Sequence, residues 1–253
     1  MDRRFVRGVS VVALGLASGA CTAERSEPTL SSNSLTQTES EAGWRLLFDG
    51  VTTTGWKAYG DGEFPSGGWQ VEDGLLRAGA TGDSTAPRGD IVTIETFGDF
   101  ELSFEFKITP VANSGVFYRV VETPELGMWS VAPEFQVLDG PAYVGRDDFD
   151  TTTHLTGDNY DLHVSSVRNT MPLGAWNHAR IVMDGAHVEH WLNGDLTVEY
   201  ELWTPEWEEL VARSKFQPFE AYGRAEQGSI GLQDHDPGNV WYRNIKIRAT
   251  EAP

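Results

Sequence analysis

The stretch Glu101–Ile108 constrains this chain more than any other. Apolar and polar residues alternate in it without a break. Leu102, Phe104, Phe106 and Ile108 fall on one side, and Glu101, Ser103, Glu105 and Lys107 on the other. A period of two fits a β-strand with one buried face and does not fit a helix. Gly98-Asp99 supplies a turn before the strand, and Pro110 stops it. Such a strand buries its apolar row only against a second layer.

The same grammar recurs along the chain. Trp69-Gln70-Val71-Glu72-Asp73-Gly74-Leu75-Leu76-Arg77-Ala78 reads as a hairpin, with Asp-Gly at the positions that require positive φ. His187 to Leu192, Asn193-Gly194, and Leu196 to Tyr200 read as a second. Ile91 to Thr96, Gly228 to His235 and Val240 to Ile247 add further strands, and only residues 205–215 carry a helical spacing, through Trp207, Leu210 and Val211. At least ten short strands at close spacing predict an all-β sandwich or barrel. The 27 glycines and 12 prolines agree with so many turns. Residues 41–251 are expected to form this single domain. Sheets of this size are often curved, leaving an outer face able to hold a ligand.

Two of the strands carry polar residues in mid-strand. In Asn113-Ser114-Gly115-Val116-Phe117-Tyr118-Arg119, alternation puts Asn113, Gly115, Phe117 and Arg119 on one face, with Val116 and Tyr118 behind. In Glu134-Phe135-Gln136-Val137-Leu138-Asp139, Glu134 and Gln136 share a face opposite Phe135 and Val137. The polar rows are either a plain solvent face or one side of a site. Residues 140–170 are rich in Asp, Thr and Asn without a period, and their length suggests a functional loop.

The N-terminus reads as a targeting segment over residues 1–20. Arg3, Arg4 and Arg7 precede an apolar run from Val9 to Leu16, which is too short to span a bilayer, and Ser18-Gly19-Ala20 follow as small residues. The only cysteine, Cys21, comes next. That arrangement resembles a bacterial lipoprotein signal, in which the cysteine is lipidated and becomes the new N-terminus. Ordinary secretion is the alternative, since Ser18 stands where Leu is commonest. The expected location is the periplasm or cell envelope, with membrane contact through the lipid alone. Residues 21–40 are polar and rich in Ser, Thr and Glu, and are expected to be a disordered tether. A net charge of −19 disfavours nucleic acid and anionic lipid as partners.

An ordered set of motifs then stands out: LFDG…GW from Leu47, WQVEDGLL from Trp69, GDFELSFEFKI from Gly98, NSGVFYR from Asn113, EFQVLD from Glu134, the WN…RIV…WLNG run from Trp176, SKF from Ser214, and GLQDH from Gly231 with the closing YRNI. From about Trp44 to Arg248 the chain resembles the bacterial 3-keto-disaccharide hydrolase family. The resemblance implies a concanavalin-like jelly-roll sandwich of two antiparallel sheets. It also implies a secreted or lipid-anchored enzyme acting on oxidised sugars, the 3-keto-glycosides.

In a 3-keto-glycoside the carbonyl acidifies the C2 proton. A base can remove it, the C1 substituent can leave, and water can add to the enone. This needs a base, a cation or donor at the C3 oxygen, and a proton source for the leaving oxygen. A two-carboxylate glycosidase mechanism is the other route. The candidates are Glu134 as base, with Glu105 as alternative or partner, and Arg119 to hold a carboxylate or polarise the carbonyl. His235 would be acid/base and Lys215 would stabilise an enolate. Gln136 and Gln233 would orient hydroxyls, and Asp139, Tyr160 and Asp161 would close the pocket. Bland alternatives exist. Glu105 opposite Lys107 or Arg119 suits a cross-strand ion pair, and His235 between acids suits a turn. His178, His187 and His190 read as structural. Arg146-Asp147-Asp148-Phe149-Asp150 offers oxygen ligands for Ca²⁺, although solvated acid explains it better. No other cofactor is implied, and no HExxH, CxxC or phosphate loop is present. A non-catalytic carbohydrate-binding module is the rival function, because the fold alone does not decide.

Overall fold

A computed structural model of the chain describes Met1 and residues 32–60, 62–79, 87–123, 125–147, 149–235 and 238–250. The targeting segment after Met1, Cys21 and the first part of the expected tether lie outside the described residues, as does Asp148.

In chain order the elements are α1 (Gln37–Glu41), β1 (Arg45–Leu46), β2 (Trp56–Ala58), β3 (Trp69–Glu72), β4 (Leu75–Ala78), β5 (Ile91–Thr93), β6 (Phe100–Ile108), β7 (Asn113–Val120) and β8 (Glu134–Leu138). They continue with β9 (Asn177–Asp184), β10 (His187–Leu192), β11 (Asp195–Glu201), α2 (Pro205–Arg213), β12 (Ser229–Leu232) and β13 (Val240–Ala249). The strands form two antiparallel sheets. One runs β11-β10-β9-β6-β13-β4-β3, with β1 beside β13; the other runs β2-β5-β12-β7-β8. The expected all-β sandwich of two antiparallel sheets is what the chain forms.

The alternating rows explain the packing. Leu102, Phe104, Phe106 and Ile108 of β6 meet Val116 and Tyr118 of β7 and Phe135 and Val137 of β8 in one core between the sheets. Phe104 packs edge-on against Phe135 across the layers, with centroids 5.6 Å apart. Each such fully buried ring contributes about 1.5–3 kcal/mol. Both expected hairpins are present, and Asp73-Gly74 and Asn193-Gly194 adopt positive φ at their turns. The predicted helix is α2, capped by the Thr204 side chain, which accepts from the Trp207 amide.

The expected tether is partly structured. Residues 37–41 form α1, closed by a capping box in which the Thr36 hydroxyl accepts from the Glu39 amide and Glu39 accepts from the Thr36 amide. Asn33 and Asn244 bond reciprocally, each backbone N–H donating to the other's side-chain oxygen at 2.6 and 2.8 Å. The Asn33 side chain also donates to the Gly74 carbonyl at 2.7 Å, and Lys246 pairs with Glu39. Polar composition hid this segment because it docks through hydrogen bonds, not an apolar face. It lies on the outer side of the eight-stranded sheet.

Candidate active site

A smaller apolar group lies on the outer side of the five-stranded sheet: Val92, Phe117, Val120, Met128, Val131 and Ala132. It seats the β7–β8 connection, whose residues Met128–Ser130 form one turn of 3₁₀ helix. Gly231 on β12 leaves room for Met128, since a Cβ there would lie 2.2 Å from its sulfur. The turn holds up Trp129, which is 38% exposed and rests edge-on against Phe219 at 5.2 Å.

Beside Trp129 a half-open cavity of about 290 Å³ is lined by Asn113, Trp129, Glu134, Gln136, Tyr160, Lys215, Gln233 and His235. Its floor comes from β7, β8 and the segment after β12. Glu134 and Gln136 point out of the sheet as alternation requires, while Phe135 and Val137 point into the core. The 140–170 segment supplies one wall. Residues 157–160 run along the free edge of β8, where the Gln136 amide donates to the Asp158 carbonyl and the Tyr160 amide to the Glu134 carbonyl, both at 3.1 Å. Asp158 anchors this edge, its carboxylate accepting from the Leu155 and Ser165 amides and from Arg168.

Glu134 is 4% exposed, and no described residue hydrogen-bonds its carboxylate. Its side chain occupies the space in front of Gly115, where a Cβ would lie 2.0 Å from Oε1. Burial pushes its pKa up, to about 8, against the pull of the Lys215 cation. Lys215 is partly exposed, but its ammonium lies among rings, with Nζ 3.9 Å from the Tyr160 centroid, 5.1 Å from Trp129 and 5.3 Å from Phe216. Desolvation there lowers its pKa, opposed by Glu134 and Asp161. A carboxyl with a raised pKa facing an ammonium with a lowered one is a pairing suited to acid–base chemistry near neutral pH. Asn113 Oδ1 is buried without a partner and borders the cavity. His235 stands at the rim, bridged to Asn113.

The predicted residues divide. Glu134, Gln136, Tyr160, Lys215, Gln233 and His235 converge here. Four do not line the cavity. Glu105 belongs to β6 in the other sheet, where its carboxylate accepts from Arg243 and from Asn244 at 2.7 Å each; it forms a cross-strand ion pair, with Arg243 of β13 and not with Lys107 or Arg119. Arg119 leaves the polar row because the β7–β12 register slips between Ser229 and Gly231, and Arg119 takes φ of 53°. Its guanidinium donates to Asp99, to the Gly98 carbonyl and to the Gly185 carbonyl, so it staples loops together. Asp139 accepts from the Val111 amide at 2.8 Å and starts the short 3₁₀ turn Gly140–Tyr143. Asp161 sits behind the wall, accepting from the Lys215 backbone amide and sharing a hydrogen bond with His154, both at 2.9 Å.

His190 is structural, as expected, with Nε2 sharing a hydrogen bond with Tyr118 at 2.8 Å, and His178 shares one with Ser103 at 3.0 Å. Among the described residues, the one group of three side chains able to hold a metal is His187, Glu189 and Glu199, on β10 and β11. It lies outside the Asp-rich stretch considered for Ca²⁺. Asn113, Trp129 and His154 are the residues that sequence reasoning missed. Asn113 shares Gly115's face, and Trp129 comes two residues after Gly127 in a strand connection; no pattern singles out His154.

Residues 43–248 match the family described as 3-keto-alpha-glucoside-1,2-lyase-like domain. The chain belongs to that family. This 3-keto-glucoside lyase-like chain is 33% identical to a protein of Bacteroides thetaiotaomicron named 3-keto-disaccharide hydrolase, covering 83% of this chain and 79% of the relative. A crystal structure from Parabacteroides distasonis, described as a candidate glycosyl hydrolase, is 32% identical with a TM-score of 0.77, covering 87% of this chain and all 100% of that one. A second from the same organism, described likewise, is 25% identical with a TM-score of 0.60, covering 81% and 98%.

Glu134 depends on its glycine neighbour. Gly115→Ala would place a methyl group where the carboxylate now lies. The Glu134 side chain must then rotate, at little expense to the sheet. Displacement of a reacting group by about 1 Å lowers turnover on the order of 100-fold. We expect that loss in kcat, with the melting temperature within a few degrees of wild type by calorimetry. A variant that keeps full activity would show that the observed Glu134 rotamer is not needed.

Proposed function

We propose that this chain hydrolyses 3-keto-glycosides by elimination and rehydration at the outer face of the five-stranded sheet. The observation that carries the reading is the buried Glu134, without a fixed hydrogen-bond donor, facing the ammonium of Lys215 across a small cavity. Ionised Glu134 removes the C2 proton of the oxidised ring. Lys215 stabilises negative charge on the C3 oxygen. His235 at the rim donates a proton to the departing C1 oxygen. Water then adds at C1 of the enone, giving a proton back to His235, and protonated Glu134, after exchange with solvent, returns a proton to C2. Asn113, Gln136 and Gln233 hold ring hydroxyls.

The relative's name denotes a hydrolase and the family's description a 1,2-lyase; elimination followed by hydration accommodates both. With only one free carboxylate among the described lining residues, a two-carboxylate displacement is disfavoured. Convergent charged groups also favour an enzyme over a binding module.

Turnover of 3-keto-lactose in deuterated water, followed by NMR, tests the reading. Deuterium should appear at C2 of the released ring, beyond the amount found when the free 3-keto product is incubated with the enzyme. Product without such excess deuterium would mean direct displacement, and no product at all would return the chain to the binding modules.

We propose further that the enzyme works outside the cytoplasm, anchored by lipid at Cys21, on the strength of the targeting pattern in residues 1–20. Residues 32–41 reach the outer side of the eight-stranded sheet, so an anchor preceding them leaves the cavity on the opposite side. Mass spectrometry of the N-terminal peptide from expressing cells should find Cys21 acylated; an unmodified N-terminus would mean free secretion.

A further inference from the structure

One wall of the cavity is backed by a closed circuit of contacts. His154 is 8% exposed. Its ring lies flat on Tyr160, with centroids 4.1 Å apart and planes 8° apart. The Lys215 ammonium sits 3.9 Å from the same Tyr160 centroid. Two groups so close to one ring centre do not fit on the same side, so imidazole and ammonium occupy opposite faces of Tyr160. Asp161 closes the circuit. One of its oxygens shares a hydrogen bond with His154 Nε2, and the other accepts from the backbone amide of Lys215. Asp161 itself holds φ of 64°, with its amide donating to the Thr153 carbonyl at 3.0 Å.

We infer that His154 is a positioning residue for this site: clamped by Asp161, it backs the Tyr160 ring whose free face carries the Lys215 ammonium. The inference rests on the proposed reaction for its catalytic meaning, and on geometry alone for the clamp. A ring face attracts a cation through its quadrupole, by about 0.5–2 kcal/mol depending on desolvation. That attraction is useful only if the ring is held still, and Tyr160 is only half-buried. Phe149 supports His154 edge-on at 5.1 Å, and Tyr143 supports Phe149 in turn.

The charged groups around the clamp are few. Glu134 and Asp161 face Lys215, and Asp161 and Asp150 face His154. Burial pushes the Asp161 carboxyl up, but its hydrogen bonds from His154 and the Lys215 amide outweigh that, and its net direction is down. Asp161 is therefore a fixed anion that holds both ends of the circuit. It links a loop residue, His154, to the start of the segment after α2, two parts of the chain that share no strand pairing.

The test uses three substitutions of His154 in the whole domain, with Tyr160→Leu beside them. His154→Phe keeps a flat ring but not the bond to Asp161; His154→Gln keeps a donor but not the ring; His154→Ala keeps neither. Two readouts are taken. The first is the titration of the Lys215 side chain by NMR with labelled lysine, which needs no substrate. The second is kcat and KM on a 3-keto-disaccharide across pH. We expect His154→Ala to move the Lys215 titration to lower pH and to reduce kcat about tenfold with KM within threefold. His154→Phe should recover most of the titration, and His154→Gln little of it. Tyr160→Leu should resemble His154→Ala. If the Lys215 titration and kcat stay within twofold of wild type in His154→Gln and His154→Ala while only the melting temperature falls, His154 is merely structural and the inference is wrong. If His154→Ala does not fold, the Phe and Gln pair decides on the same terms. If wild type fails to turn over the sugar yet the lysine titration moves as stated, the clamp stands and the proposed reaction falls.

Discussion

Glu134→Gln should abolish turnover and make the protein more stable. Removing a general base usually lowers the rate by about 10²–10⁴, and here no second carboxylate among the described lining residues stands ready to replace it. The gain in stability follows from the same burial. The folded-state pKa of Glu134 is raised from an ordinary 4.5 to about 8. A group raised in this way contributes stability that is fully present below pH 4.5 and is lost as pH rises through about 8. Between those limits the unfolded chain ionises freely, and the folded one only with difficulty. Each pKa unit corresponds to about 1.4 kcal/mol. At pH 8 the wild type is therefore burdened by on the order of 4 kcal/mol that Gln does not carry. Urea unfolding at pH 5 and pH 8 measures this directly. The variant should gain on wild type as pH rises. Activity within threefold of wild type, or equal stability at both pH values, would sink the assignment of Glu134 as the base.

This opposition between activity and stability also explains why the strand pattern was informative and incomplete. A period of two reports which side chains share a face of one strand. It fixed the core row of β6 and the outward direction of Glu134 and Gln136. It does not report which sheet a strand joins. Glu105 and Glu134 give the same local signal, yet β6 lies in the eight-stranded sheet and β8 in the five-stranded one. Pairing between strands is settled by contacts distant in sequence, and those leave no local period. Arg119 shows a second limit. One extra residue in β7 turns a side chain away from its row, and nothing in NSGVFYR announces it. Loop residues show a third. Tyr160 was legible from its place in the long 140–170 segment, whereas Trp129 reaches the site, and His154 the wall behind it, through loops held by Asp158, Asp161 and Met128. Those supports are hydrogen bonds and one filled gap, not a repeat that can be counted.

Lys215→Met should lower kcat/KM by about 10²–10³, the range found when a donor to a developing oxyanion is removed, roughly 3–4 kcal/mol. Its pH dependence separates this from simple loss of binding. In the proposed reaction Glu134 is ionised and Lys215 protonated, so kcat/KM of the wild type should be bell-shaped, with limbs to which the pair contributes. The acid limb reflects the raised Glu134, near 8, and the alkaline limb falls below the usual lysine value, because desolvation lowers Lys215. Removing the ammonium takes the Lys215 contribution out of the alkaline limb. It also withdraws the one cation that holds the Glu134 pKa down, so the acid limb should move to still higher pH. A merely structural lysine would change neither limb. An unchanged bell at lower amplitude would assign the charge at the C3 oxygen to another group. Persistence of the acid limb near 8 would mean that Lys215 and Glu134 do not sense one another, and the site would lose the pairing from which its chemistry is read.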